Sequence, residues 1–167
     1  LEWHLQGHQS WSMAVNLSTL QFEQPSLVNT VLNCLALHHV PPEMLILEVT
    51  ETTAMSNPDE SVRVLTELTE AGVKASIDDF GTGYSSLLYL KRLPACELKI
   101  DRAFVKELSG ESEDATIVSA IVALAKTLNL KVVAEGVETE AQQAFLTELG
   151  CNTLQGYLLG KPVSAQT

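Results

Sequence analysis

Ala75-Ser76-Ile77-Asp78-Asp79-Phe80-Gly81-Thr82-Gly83-Tyr84-Ser85-Ser86 runs from an apolar strand straight into two adjacent carboxylates and then into a glycine-punctuated turn. Neighbouring acids repel one another, so a fold keeps them at a strand end mainly where a cation or hydrogen bonds compensate. Gly81 and Gly83 give the backbone access to positive φ and let a ligand approach closely. Taken alone, the stretch also fits a solvated turn with an aspartate helix cap. The surrounding sequence decides between the two.

Outward from this stretch, strand-like and helix-like segments alternate. Strands are expected at residues 11–17, 44–49, 73–77, 97–100, 131–134 and 153–157, and helices at 25–38, 58–71, 85–93, 114–128 and 140–149. Gly72 and Gly150 stand where glycines close helices. The segments Leu65-Thr66-Glu67-Leu68 and Leu146-Thr147-Glu148-Leu149 echo each other ahead of these glycines. This is the grammar of repeated βα units on a parallel sheet. A closed (β/α)₈ barrel needs eight strands and typically about 250 residues. Six strands in 167 residues therefore mean either an open doubly wound sheet or a barrel lacking about two of its eight units. No Pro-, Gly- or Ser-rich linker divides the chain, so residues 1–167 are expected to form a single domain.

Nearly half of the residues are apolar, and the formal net charge is −11. The first implies a packed core, and the second argues against DNA or RNA binding through a basic surface. An anionic substrate would need local help, most directly from metal ions. The apolar stretch 117–125 is too short to span a membrane. Cys34, Cys96 and Cys151 lack metal-site spacing and read as reduced, mostly buried thiols of a cytoplasmic protein. His4, His8, His38 and His39 fall outside the strand ends and read as surface or helix-end residues, while Met13, Met44 and Met55 read as core filler or incidental. Trp3 and Trp11 fit either a core or a surface once covered. Ile117, Ile121, Leu124 and Leu128 are expected to form the buried stripe of a helix.

Polar side chains recur at nearly every strand end: Asn16, Glu48 with Glu51, Asp78-Asp79, Lys99 with Asp101, Glu135 with Glu138, and Gln155. In parallel α/β folds these ends share one face, so the side chains would converge. Carboxylate and amide oxygens without His or Cys favour Mg²⁺ or Mn²⁺ over zinc. A shared carboxylate such as Asp78 could bridge two ions for in-line displacement at phosphorus. Lys99 either is salt-bridged among the acids or holds water and offsets phosphate charge. Gly81-Thr82-Gly83 alone is a weak phosphate-loop signal, and no Walker lysine follows.

Val15-Asn16-Leu17-Ser18, Leu47-Glu48-Val49-Thr50-Glu51, Asp78-Asp79-Phe80-Gly81-Thr82-Gly83, Leu98-Lys99-Ile100-Asp101, Ala134-Glu135-Gly136-Val137-Glu138 and Gln155-Gly156-Tyr157 resemble, in order and spacing, the motifs of the bacterial EAL domain. The resemblance implies a TIM-like α/β barrel whose first strand is antiparallel, and hydrolysis of cyclic di-GMP to linear pGpG with a two-metal Mg²⁺ or Mn²⁺ site. It implies that Asn16, Glu48 and Asp78 bind one metal, with Asp78 bridging to a second helped by Asp79 and Glu135. Lys99 would orient the hydrolytic water, with Gln155 in support, beside Glu135 as a catalytic group. Glu51 would hold the loop from Asp79 to Thr82, Glu138 would support the same region, and Asp101 would be structural. It further implies a homodimer through the loop and helix after Asp79, and an upstream sensory or GGDEF domain, with the parent protein membrane-anchored in some cases.

The Glu-Ala-Leu signature itself does not occur in the chain. Residues 1–7 resemble the tail of the helix before the Asn16 strand, and the family's helix after Lys161-Pro162 is missing. The resemblance thus implies an incomplete barrel, with about six of eight units, that is weakly active or inactive alone. Two other readings stand beside it: a cyclic di-GMP receptor without hydrolysis, and another metal-dependent barrel enzyme of the enolase or aldolase type.

Overall fold

A polar capping residue directly after a strand is the recurring local device of this chain. In the computed structural model, which describes residues 7–8, 11–83, 86–108 and 112–164, Ser18, Thr50 and Asp101 each end a strand and open a helix by accepting a backbone N–H. Such caps satisfy donors that the first helical turn leaves unpaired. Six strands follow one another in the sheet in chain order. The chain clusters into two compact units, one running to Ile77 and including Gly83–Cys96, the other comprising Asp78–Thr82 and the chain from Glu97 onward.

In the first unit, β1 (Met13–Leu17) pairs in parallel with β2 (Leu45–Thr50), placing Asn16 opposite Glu48. Helix α1 (Thr19–Phe22) is closed by a capping box between Ser18 and Gln21. Helix α2 (Leu27–Leu37) leads through a 3-10 turn at Pro42–Met44 to β2. Helix α3 (Glu51–Ser56) follows, and α4 (Pro58–Glu70) starts on a proline and ends before Gly72 at φ 98°. Its buried residues Ser61, Val64, Leu65 and Leu68 keep helical spacing. They face inward while Arg63 bonds Glu60 and Glu67 on the outer side. Helix α5 (Leu87–Leu90) lies in the same unit. Trp11, Met13 and Val15, together with Cys34, Leu35 and Met44, border an open apolar cavity of ≈660 Å³.

Strand β3 (Lys74–Phe80) reaches three residues further than expected, so Asp78 and Asp79 lie within it rather than after it. Buried Phe80 anchors that extension. Positive φ falls on Asp79 (53°) and Gly81 (100°) but not on Gly83. What Gly83 supplies is room, since a Cβ there would lie 3.1 Å from Glu51 Oε1.

In the second unit, β4 (Glu97–Ile100) and β5 (Lys131–Ala134) pair in parallel from Glu97↔Lys131 to Ile100↔Ala134, and β6 (Thr153–Leu154) pairs with β5. Between them run α6 (Arg102–Lys106), α7 (Glu113–Thr127) and α8 (Glu140–Leu149), the last closed by Gly150 at φ 86°. The last strand is shorter than expected. After Gln155 donates its N–H to Ala134 O the chain turns back at Gly156, where a Cβ would lie 2.1 Å from Val137 O.

Two expectations are corrected. The inward stripe of α7 is Ala115, Val118, Ile121, Val122 and Ala125, and Ile117 is exposed. Ile121 is buried as expected, while Leu124 and Leu128 are half-buried. None of the cysteines forms a disulfide, but Cys34 is exposed beside the open cavity, and Cys96 and Cys151 are only half-buried. Burial still pushes the Cys151 thiol up to about 11. Met13 is exposed, the incidental of its two readings, on the strand at the edge of the sheet. Trp3, His4, Tyr84 and Ser85 lie outside the described residues. No helix among the described residues is long and apolar enough to cross a membrane.

Candidate active site

In the second unit, Lys99 is the hinge of a buried charge cluster. The β4 strand carries its buried ammonium 3.2 Å from Asp78 Oδ1 and 2.7 Å from Glu135 Oε1. Glu135 comes from the residue after β5, held because its N–H donates to Ile100 O and so prolongs the β4–β5 pairing. Lys99 and Asp78 are both buried. An ion pair in such a place persists only with close geometry, and removing one partner leaves an uncompensated charge.

Asp79 completes the cluster. Its N–H donates to Asp78 Oδ1 at 3.0 Å, which helps an L residue hold a left-handed backbone that short polar side chains tolerate. Its carbonyl accepts the Thr82 hydroxyl at 2.8 Å, so Thr82 steadies the turn as expected. Burial raises the Asp79 pKa, helped by the Asp78 charge, a hydrogen bond with and charge from Asp101, and the charge of Glu135. Asp101 also accepts the Ala103 N–H as the cap of α6, so its carboxyl is both structural and electrostatic.

Oxygens of Asp78, Asp79 and Glu135 lie within 4.8 Å of one another. Ligands on opposite sides of a hard cation lie about 4–5 Å apart, twice the metal–oxygen distance. The donor set is all oxygen, and its mutual repulsion is what a divalent cation relieves. These residues therefore fit Mg²⁺, Mn²⁺ or Ca²⁺ and not a thiol-seeking metal.

The other expected site residues are placed as follows. In the first unit, exposed Asn16 and buried Glu48 are register partners, and partners in a parallel pair carry side chains on one face. Glu51 is buried and accepts the Gly83 N–H at 3.3 Å, so it grips the residue just after the expected Asp79 to Thr82 loop. In the second unit, exposed Gln155 is bound through its backbone, to Ala134 O and from Val137 N. Glu138 is also exposed, and its N–H donates to Gln142 Oε1. Gln142 itself escaped the sequence reading, although Thr139-x-x-Gln142 is a capping-box signature.

Hard oxygen ligands and one buried lysine, set at the carboxyl ends of strands in an α/β sheet, define a candidate divalent-cation site of the kind barrel enzymes build. The chain belongs to the EAL domain family, whose model matches residues 1–162. Its fold class is accordingly the TIM-like barrel of that family, with six strands among the described residues. It is 66% identical over 160 residues to the bifunctional diguanylate cyclase/cyclic di-GMP phosphodiesterase MucR of Pseudomonas aeruginosa, covering 96% of this chain and 23% of that protein. A MucR phosphodiesterase solved as its c-di-GMP complex superposes with a TM-score of 0.96 at 65% identity, covering 98% of this chain and 66% of that one. BlrP1 of Klebsiella pneumoniae, solved with manganese and c-di-GMP, gives a TM-score of 0.77 at 35% identity over 88% of this chain and 38% of that one. The chain spans about a quarter or less of the length of the curated relatives it matches most strongly.

Proposed function

We propose that this domain hydrolyses one phosphodiester bond of cyclic di-GMP to give linear pGpG. The observation that carries the reading is the buried Lys99 ammonium between Asp78 and Glu135, with Asp79 packed beside them. It gains support from the MucR and BlrP1 likenesses, both solved with c-di-GMP. Asp78, Asp79 and Glu135 are the residues that would hold Mg²⁺ or Mn²⁺. A divalent cation there polarises the phosphoryl oxygens and makes bound water a stronger nucleophile.

The chain's own groups then have distinct tasks. Lys99 holds the two carboxylates together and offers positive charge where an anionic phosphodiester and its attacking water must sit. Glu135 accepts a proton from that water, Gln155 assists in orienting it, and the proton balance closes on the departing ribose 3′ oxygen. Thr82 braces the acidic turn, and Glu51 holds Gly83. Exposed Leu87 and Leu88 on α5, at 58% and 68%, support the homodimer through the segment after Asp79. A cytoplasmic setting and a regulatory domain elsewhere in the parent protein belong to the same proposal.

The test is incubation of the purified chain with cyclic di-GMP and Mn²⁺, followed by chromatography. Weak metal-dependent pGpG formation, abolished by Lys99→Met, is the expected result. Binding without product would replace hydrolysis by a receptor role.

A further inference from the structure

Gln142 is 5% exposed, yet it is an amide at the first turn of α8. Its Oε1 accepts the N–H groups of Glu138 at 2.8 Å and Thr139 at 3.0 Å. Its Nε2 donates to Val105 O at 2.9 Å and Lys106 O at 3.2 Å. A side-chain amide has two donors and two acceptor lone pairs, and here all four are used. A capping box needs only the oxygen. The nitrogen reaches the last turn of α6, where Val105 O also accepts the Leu108 N–H at 3.3 Å and has a second lone pair to offer.

The segment held in this way is the one that carries Glu135. Gly136, at φ 71°, would place a Cβ 2.6 Å from Arg102 Cβ, so the chain runs hard against the start of α6. Val137 is fully buried, donates its N–H to Gln155 O and accepts from Leu158. Gln142 closes the far end of the same run against the end of α6. Between residues 135 and 139 the backbone therefore has little freedom to move, and α6 is itself the helix that starts from the end of β4.

We propose that Gln142 is a positioning residue for Glu135: by tying the Glu138–Thr139 backbone to Val105 and Lys106, it holds the Glu135 carboxylate in register with Lys99 and hence with the metal site. The inference deepens the functional reading above and rests on it for the identity of the ligand. Outer partners of this sort typically change metal affinity ~10–100-fold when removed.

Gln142→Glu keeps an acceptor for the two N–H groups but removes both donors and sets a carboxylate against two carbonyls. Thr139→Ala is the control, because it takes away the hydroxyl that accepts the Gln142 N–H while leaving the amide tie intact. Mn²⁺ affinity is read by titration calorimetry and stability by thermal unfolding. The expected result is at least about tenfold weaker Mn²⁺ binding in Gln142→Glu, with Thr139→Ala lowered in Tm but unchanged in affinity. Equal affinity in Gln142→Glu, or a loss in Thr139→Ala that matches it, would overturn the inference. Should Gln142→Glu fail to fold, Gln142→Asn, whose amide is too short to span both sides, is read by the same criteria. An unsubstituted chain that binds no Mn²⁺ would defeat the functional reading alone. Hydrogen exchange at the Glu135 amide then decides: faster exchange in Gln142→Glu sustains the tie, and unchanged exchange overturns it.

Discussion

Lys99 on β4 and Glu135, just after the adjacent β5, meet at 2.7 Å with the lysine almost fully enclosed. The lysine is thus both a part of the folded core and the charge around which the acids are arranged. Lys99→Met keeps the side chain's length and apolar stem while leaving Asp78 and Glu135 without a counter-charge.

Breaking a buried pair on one side costs on the order of 3 kcal/mol. Lys99→Met is therefore expected to lower the stability of the metal-free chain by about that amount. Added Mn²⁺ should recover part of the loss, since a cation can neutralise the same acids. Thermal unfolding in EDTA and in Mn²⁺ reads both quantities. An unchanged midpoint in EDTA would show that the pair contributes nothing net.

Asp79 controls how stability depends on pH. Its pKa in the fold lies above that of the unfolded chain, chiefly through burial and then through Asp78, Asp101 and Glu135. The folded state therefore holds the Asp79 proton more tightly. The stability this contributes is complete below the ordinary carboxylate pKa of about 4 and is lost as pH rises through the folded value. Metal-free protein should weaken over that window, and Asp79→Asn should flatten the dependence. Bound Mn²⁺ should oppose it, because the cation favours the ionised carboxyl. Midpoints measured across acid to neutral pH, with and without metal, test all three.

How much of this was readable in advance follows from which signals are local. The strands Glu97–Ile100 and Lys131–Ala134 and the helix Glu140–Leu149 have the expected bounds, because capping and apolar patterning there agree. Helices α1, α3 and α6 were not expected, being too short to show a period, although Ser18, Thr50 and Asp101 marked their starts. Within the site, the strand-end phase alone pointed to Asp78, Asp79, Lys99 and Glu135. The contact of Asp79 with Asp101 and the span from Gln142 to Val105 depend on the path of the chain in space. A spacing of 37 residues carries no periodic signal.

Gly136 gives a packing test next to the site. Its backbone is left-handed, and a Cβ would come within 2.6 Å of Arg102 Cβ and 3.3 Å of Arg102 Cα. Gly136→Ala should cost about 2–4 kcal/mol from combined backbone strain and overpacking. Urea unfolding measures the loss. A substitution with less than ~0.5 kcal/mol effect would mean that the turn yields and that Glu135 is not rigidly held.

Glu51 offers a last distinction, between charge and hydrogen bonding. Its side chain is 1% exposed and accepts the Gly83 N–H. Glu51→Ala leaves that donor without this acceptor and opens space, so a loss of about 1–3 kcal/mol is expected. Glu51→Gln retains a carbonyl oxygen in nearly the same volume. If the bond to Gly83 is what matters, the glutamine variant should keep most of the stability, and the Gly83 amide should remain slow to exchange. If the negative charge is what matters, the glutamine variant should fall as far as the alanine variant while its Gly83 amide stays protected. Paired unfolding and amide-exchange measurements on the two variants separate these cases without reference to catalysis.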